Sequence, residues 1–445
     1  MSHTLIDSVY SFITGDVKAV RKARLLTYRL RKKYASPLVF FRRYITLAKL
    51  IVLSLVAVGI CYASGIVIAP ETLHFLQRDL FFQPLSLIIP VLLATAMFAV
   101  PQRIPMETLA TMGVSVLVTY LLTTLFSSSL GYGSVILFDT SQYLTPLLST
   151  EKLGQTKEFS TDFTLLYIIA SSLTVSTIVS YFLKKRHHLQ QRVVHVSLLA
   201  EKTSYMALNA ILWLMPLAVF ASILGALQTH GLDKLSSLGW FVVFVNIPQI
   251  FYLLVLVCLI KIGTKVSFSF AFSAVKSLAK IAIPSGSSAA TIATNVETAR
   301  SFPIVQKYKG KGFIASLLPF GATVNMDGTA LFITIMCKIA ADIQGLDIGY
   351  FDIIPYVIAY SCAAAAVPSA SIVLITAIYS LIGIEPSLTL QILGLMVAVD
   401  WINDRVRTLV NVTGDLLAIL LSVNDRSPWQ LAVNFFRTPK SEPTQ

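Results

Sequence analysis

The sequence predicts an all-α polytopic membrane protein with eight transmembrane helices and two re-entrant helical hairpins. Of its 445 residues, 55% are hydrophobic and only 13% are charged, whereas soluble domains carry about 25% charged residues. A soluble fold could not bury so much apolar side chain, so the composition excludes soluble, fibrous and disordered proteins. Apolar runs near the roughly 20 residues that cross a bilayer recur along the chain. They cover 44–69, 82–100, 107–132, 161–183, 205–228, 237–262, 312–341 and 386–422.

Positive charge gathers at the ends of these runs. The formal net charge is +13, but ten Lys and Arg residues lie within 18–43 and four more within 184–192. Such clusters are typical of the cytoplasmic flanks of membrane spans. We therefore expect 1–43 to be a cytoplasmic basic segment, 431–445 to be a cytoplasmic tail, and nucleic acid not to be a partner. Because successive spans cross the membrane in alternating directions from a cytoplasmic N-terminus, we expect 133–160 to form an extracytoplasmic loop.

Two further segments, 267–300 and 352–384, are apolar but interrupted. Residues 284–291 and 361–371 are rich in small side chains, serine and proline. Non-helical backbone is tolerated at membrane depth only where protein or water satisfies it. We therefore predict two re-entrant hairpins whose tips meet near the membrane midplane. The alternative for either segment is close helix packing through small residues.

The last apolar run carries a polar stripe. Six side chains share an arc of roughly 100° on one helical face: Asp400, Asp404, Arg407, Thr408, Asn411 and Asp415. Charges inside a span are costly, so these must face a polar cavity or one another. An Asp404–Arg407 pair alone would leave Asp400, Asn411 and Asp415 unexplained.

The preceding run, 312–341, is interrupted by oxygen-bearing side chains at every second residue between Gly321 and Gly328. This spacing does not fit one face of a helix. We predict a broken helix in which Asn325 and Asp327 offer hard oxygen ligands that suit sodium. In the third run, Tyr120, Thr123 and Thr124 share one face, a pattern that by itself is more typical of packing.

These motifs resemble the glutamate transporter family, the dicarboxylate/amino acid:cation symporters. The resemblance covers about 44–430 and is most specific from 283 to 415. It rests on Asn325-Met326-Asp327-Gly328-Thr329, the serine-rich first hairpin, Val367-Pro368, and Asp404-x-x-Arg407-Thr408-x-x-Asn411-x-x-x-Asp415. It implies a secondary active symporter, not an enzyme, that works by an elevator mechanism. It also implies a homotrimer in a lipid bilayer, co-transported sodium ions and no organic cofactor.

The resemblance assigns 44–100 and 161–230 to a fixed scaffold, and 105–132 with 237–430 to a moving transport domain. It implies three sets of sodium ligands. The first set is Gly321, Asn325, Asn411 and Asp415; the second is Thr323, Ser361, Cys362 and Ala364; the third is Tyr120, Thr123, Thr124, Asn325 and Asp327. The implied substrate contacts are Ser288, Thr329, Val367, Ser371, Asp404, Arg407, Thr408 and Asn411.

The charges of the last run favour an acidic amino acid, L-glutamate or L-aspartate, as substrate. Arg407 can hold a side-chain carboxylate by two parallel hydrogen bonds, and Asp404 can meet the ammonium group. A C4-dicarboxylate or neutral amino acid symporter of the same family remains an alternative. Potassium- and proton-coupled relatives carry a glutamate where this chain has Ile333, so we expect no potassium counter-transport.

The alternatives from other classes of protein are a passive channel and an intramembrane aspartyl protease. Ligands scattered over broken helices argue against a passive channel, which uses rings of repeated ligands. The chain lacks the Tyr-Asp and Gly-x-Gly-Asp motifs of intramembrane aspartyl proteases. The single glycosylation sequon, at 411–413, falls inside the last span, which favours a bacterial inner membrane.

Overall fold

The computed structural model describes residues 37–99, 114–148, 164–183, 187–307, 314–363 and 370–423. Regular structure in these ranges is helical, with no β-strand among them, which confirms the predicted all-α class. The chain divides into two compact units, Met1–Leu50 and Ile51–Gln445. The described part of the first unit is the beginning of a helix, and the second unit contains the candidate site.

The α-helices of the described ranges are labelled in chain order. They are α1 (Pro37–Ala63), α2 (Pro70–His74), α3 (Gln83–Ala99), α4 (Val114–Phe138), α5 (Thr164–Leu183), α6 (His187–Leu212), α7 (Met215–His230), α8 (Leu232–Thr264), α9 (Phe268–Ser285), α10 (Ser288–Ser301), α11 (Pro303–Lys307), α12 (Ile314–Val324), α13 (Asp327–Gln344), α14 (Tyr350–Ala363), α15 (Ala370–Leu381) and α16 (Pro386–Val423). A π-helix, Phe75–Phe82, joins α2 to α3.

Several helices have the length and composition of membrane spans. Within the described residues, Val116–Phe138, Ser236–Thr264 and Pro386–Val423 are long and apolar enough to cross a bilayer. Shorter apolar helices are Lys49–Ala63, Thr174–Leu183 and Met215–Thr229. Large apolar side chains lie exposed along the outer helices, as Val52, Leu53 and Ile60 do on α1. Such a surface suits lipid and not water, in agreement with a polytopic membrane protein.

The last helix, α16, lies at the centre of the described structure. It contacts helices from both halves of the chain: α4, α7, α8, α9, α10, α12, α13 and α15. Its side chains from Leu388 to Ser422 are mostly buried, including those of the polar stripe. The predicted stripe therefore faces protein and not lipid.

The third span ends later than predicted. Helix α4 continues to Phe138 and is followed by two short 3-10 turns, Thr140–Tyr143 and Thr145–Leu147. The expectation of a loop beginning at residue 133 is therefore wrong, and 149–163 lie outside the described residues. Gly131 does not end the helix but allows close packing, since a Cβ there would lie 2.6 Å from the carbonyl oxygen of Leu331.

The fifth predicted span is divided between two helices. Helix α6 begins at His187, runs past the expected start at 205 and ends at Leu212, and α7 begins at Met215. Pro216 explains the division, because proline has no N–H to donate inside a helix but is tolerated in the first turn.

The first hairpin is confirmed as two short helices, but its interruption is narrower than predicted. Pro284 lies within α9, and only Gly286 and Ser287 separate α9 from α10. Gly286 has φ of +55°, which favours glycine. The Ser287 hydroxyl caps α10 by accepting from the backbone N–H of Ala290. Helices α14 and α15 form the second interrupted segment, whose centre, 364–369, lies outside the described residues.

Candidate functional site

The predicted break in the seventh span is present. Helix α12 ends at Val324 and α13 begins at Asp327, which leaves Asn325 and Met326 between them. The N–H of Asn325 still donates to the carbonyl of Gly321 at 2.7 Å, and that of Ala330 donates to the carbonyl of Met326 at 2.7 Å. The backbone around the break is therefore hydrogen-bonded, and the Asn325 and Asp327 side chains are fully buried beside it.

Three hydroxyl groups hold the carboxylate of Asp327. Thr123 and Thr124 of α4 donate to its Oδ1 at 3.0 and 3.1 Å. Tyr252 of α8 donates to its Oδ2 at 3.1 Å. The two threonines therefore contact the predicted ligand and are not merely packing residues. Tyr252 was missed by the sequence reasoning, since one tyrosine in a long apolar run carries no distinctive signal.

A second group of oxygens lies around Asp415. The side-chain amide of Asn325 donates to Asp415 Oδ1 at 3.1 Å. A Cβ at Gly321 would collide with the Tyr120 hydroxyl and lie 2.8 Å from Asp415 Oδ1, so glycine is required for this approach. The buried atoms Tyr120 OH, Asn325 Oδ1 and Asp415 Oδ2 have no hydrogen-bond partner among the described residues. Buried oxygens without donors fit a small hard cation.

Asn411 joins the helix break to the last helix. Its Oδ1 accepts from the backbone N–H groups of Gly328 at 2.8 Å and Thr329 at 3.3 Å, and its Nδ2 donates to the Thr329 hydroxyl at 3.1 Å. A Cβ at Gly328 would lie 2.6 Å from the carbonyl oxygen of Arg407, which explains glycine at the start of α13. Thr329 and Asn411 are therefore in direct contact, and the backbone of Arg407 packs against Gly328.

The guanidinium of Arg407 binds two carboxylates. Its Nη2 donates to Asp404 Oδ1 at 2.5 Å and to Asp400 Oδ1 at 3.0 Å. The Cζ atom of Arg407 lies over the Phe332 ring, 4.5 Å from the ring centre. The pairing therefore explains Asp400 as well as Asp404, which the sequence argument did not anticipate. Arg407 is only 2% exposed, and its Nη1 has no partner among the described residues.

Other predicted site residues are only partly observed. Ser288, Ser361, Ser371 and Thr408 are buried. Within the described part of the chain, no hydrogen bond joins Ser288 or Ser371 to the guanidinium of Arg407. The side chains of Thr323 and Cys362, together with Ala364 and Val367, lie outside the described residues.

Both hairpins are attached to the helices that carry the site. Asn295 of α10 donates to the carbonyl of Val412 at 2.9 Å, and Tyr379 of α15 donates to the carbonyl of Met336 at 2.8 Å. These bonds hold one helix of each predicted hairpin against α16 or α13.

The fold and the buried polar groups define an all-α, polytopic integral membrane protein with a polar centre built on a broken helix. The sequence profile of the Sodium:dicarboxylate symporter family matches residues 47–424. The chain belongs to this family, which is one of transporters and not of enzymes.

Individual relatives match only part of this chain. The chain is 27% identical to an excitatory amino acid transporter of Caenorhabditis elegans over 268 residues, 58% of this chain and 50% of the relative. It is 28% identical to the proton/sodium-glutamate symport protein of Bacillus subtilis over 237 residues, 53% and 52% of the two chains. A 102-residue segment is 41% identical to excitatory amino acid transporter 3 of Mus musculus, 22% of this chain and 19% of the relative. The matches thus span half or less of two relatives and just over half of the Bacillus protein.

Proposed function

We propose that this protein is a secondary active symporter that couples sodium entry to the uptake of an acidic amino acid, L-glutamate or L-aspartate. The observation that carries the proposal is the charge of the buried centre. Four carboxylates, those of Asp327, Asp400, Asp404 and Asp415, lie there with one guanidinium, that of Arg407, a formal charge of −3. An acidic amino acid adds a further negative charge. Cations must enter with it, because uncompensated buried charge is costly.

Two cation sites are supported by the contacts around Asn325. One site corresponds to the third predicted ligand set, in which Asp327 Oδ1 and the hydroxyls of Thr123 and Thr124 offer oxygens to sodium. The second site corresponds to the first predicted set and is centred on Asp415. Tyr120, which was predicted for the Asp327 set, is proposed to join this second site, and Asn325 lies between the two centres. All these ligands are oxygens, the type that hard monovalent cations prefer. Gly321 and Asn411 complete the second site in this proposal.

The substrate site is proposed around Arg407. Asp400 binds the guanidinium on Nη2, and Nη1 remains for a substrate carboxylate. Asp404 lies on the same face and supplies a negative charge for the ammonium group of an amino acid. Succinate has no ammonium group, so the two aspartates that share the single charge of Arg407 would keep their excess negative charge. Acidic amino acids are therefore favoured over C4-dicarboxylates. The buried hydroxyls of Ser288, Thr329, Ser371 and Thr408, with Val367 and Asn411, are proposed to complete the site.

The remaining features are proposed from family resemblance. The second predicted ligand set, Thr323 with Ser361, Cys362 and Ala364, would form a third sodium site. Residues 44–100 and 161–230 would form a scaffold, against which 105–132 and 237–430 move as a transport domain. We further propose a homotrimer in a bacterial inner membrane.

The substrate assignment is tested by competition in proteoliposomes that carry a sodium gradient. Uptake of radiolabelled L-aspartate is measured against unlabelled L-glutamate, succinate and L-serine. We expect L-glutamate to compete and the other two to compete at least tenfold less well. Asp404→Ser should weaken amino acid uptake more than succinate binding. Stronger competition by succinate or serine than by L-glutamate would refute the matched roles of Arg407 and Asp404.

A further inference from the structure

A separate cluster of buried amides lies between α8 and α16. Asn246 donates from Nδ2 to Asn403 Oδ1 at 2.6 Å and so joins the two helices. Gln249 follows Asn246 by one helical turn and is fully buried, as is Asn403. Within the described residues, neither amide atom of Gln249 has a hydrogen-bond partner, and neither does Asn246 Oδ1 or Asn403 Nδ2. None of these three residues belongs to the site proposed above.

The register of the two helices places this cluster at the level of Arg407 along α16. Asn246 meets Asn403, and further along both helices a Cβ at Gly263 would lie 2.6 Å from Leu421 Cδ2. The helices therefore run parallel with a nearly constant offset, which brings Gln249 level with Arg407. Arg407 Nη1 and Asp400 Oδ2 are also buried and have no partner within the described part of the chain.

The chemistry of these atoms identifies their ligand. Asn403 Nδ2, Gln249 Nε2 and Arg407 Nη1 are donors, whereas Asn246 Oδ1, Gln249 Oε1 and Asp400 Oδ2 are acceptors. A metal cation would satisfy the acceptors alone and would be repelled by the guanidinium. Water both donates and accepts, and buried water typically bonds to otherwise unsatisfied polar groups.

We propose that Asn246, Gln249 and Asn403 form a water-binding site behind Arg407. Its waters accept one of the two Nη1 hydrogens of Arg407 and bond to Asp400, and so hold the other Nη1 hydrogen in position for the substrate carboxylate. These amides are positioning residues, since they act on the substrate through Arg407. The second part of this inference rests on the proposed function, whereas the water site does not.

Substitution separates this role from a general structural one. Gln249→Leu removes a donor and an acceptor at little change in size. We expect the KM for L-aspartate to rise about tenfold, the effect of one hydrogen bond to a charged group. The sodium concentration for half-maximal uptake at saturating L-aspartate should change less than about twofold, because the Asp327 and Asp415 groups are held by other residues. Gln391→Leu is the matched control, as Gln391 bonds to the backbone of its own helix at Ser387.

Direct observation of the wild-type protein keeps the inference testable if a variant fails to fold. A high-resolution cryo-EM map of the full chain in nanodiscs, without substrate, should show water density in contact with Gln249 and Arg407. A cation there, a direct Gln249–Arg407 bond without water, or equal shifts in KM and sodium affinity for Gln249→Leu would overturn it. A wild type that shows this water but transports no acidic amino acid would instead refute the proposed function.

Discussion

The hydroxyl of Tyr252 donates a hydrogen bond to Oδ2 of Asp327 at 3.1 Å, from a helix to which the sequence assigned no cation ligand. The other carboxylate oxygen is held by Thr123 and Thr124. Helices α4 and α8 thereby fix the carboxylate on both sides. A carboxylate oriented in advance binds a cation without further loss of side-chain freedom.

Tyr252→Phe tests whether this orientation matters. The variant keeps the ring but removes one hydrogen bond to a charged group, worth about 1.5–3 kcal/mol. We expect the sodium concentration for half-maximal uptake to rise about tenfold. Tyr132→Phe is the matched control, because the Tyr132 hydroxyl bonds only to the carbonyl of Ile348 among the described residues. Equal sodium dependence in the two variants would contradict the role given to Tyr252.

Gly321→Ala tests the approach of Tyr120 to Asp415. The added methyl group would overlap the Tyr120 hydroxyl and press on the carboxylate, and such overpacking typically costs about 1–3 kcal/mol. We expect apparent sodium affinity to fall by about tenfold and the melting temperature to fall slightly. Gly133→Ala is the control, since nothing lies within 4 Å of a Cβ at that position. A Gly321→Ala protein with normal sodium affinity would show that this cluster does not bind the ion.

The sequence predicts the broken helix and the polar stripe of the site, but not the uncharged polar residues that α8 places near them. The broken helix at Asn325 and the polar stripe on α16 were predictable because charges and small polar residues are costly within an apolar run. Tyr252 and Gln249 were not, because single uncharged polar residues occur in many spans without a ligand. The third span was also predicted to end at 132, because composition cannot distinguish a glycine that permits close helix packing, as Gly131 does, from one that ends a helix.

Arg407→Cys should change substrate selectivity. Removal of the guanidinium leaves Asp400 and Asp404 without their cation, so binding of a second substrate carboxylate becomes unfavourable. We expect uptake of L-glutamate and L-aspartate to fall by about a hundredfold, with uptake of serine or alanine gained. Arg405→Cys is the control on the same helix, where Arg405 stacks on Trp401. Similar losses in both variants would indicate a structural effect.

Transport should not require internal potassium. Ile333 is fully buried and offers no oxygen to hold potassium on the return step. We expect uptake rates with potassium or choline inside the vesicles to agree within about twofold at clamped voltage. A strict requirement for internal potassium would mean that other residues bind it.

Sodium-driven accumulation of L-aspartate in proteoliposomes tests the central claim most directly. The wild type should concentrate L-aspartate when sodium is present outside only, and should fail to do so when choline replaces it. In Asp327→Asn, the sodium concentration for half-maximal uptake should rise by at least about tenfold, because one charged contact is lost. Asp342→Asn, which removes a partly exposed pair with Lys338, should behave as the wild type. Accumulation without sodium, or unchanged sodium dependence in Asp327→Asn, would contradict the account.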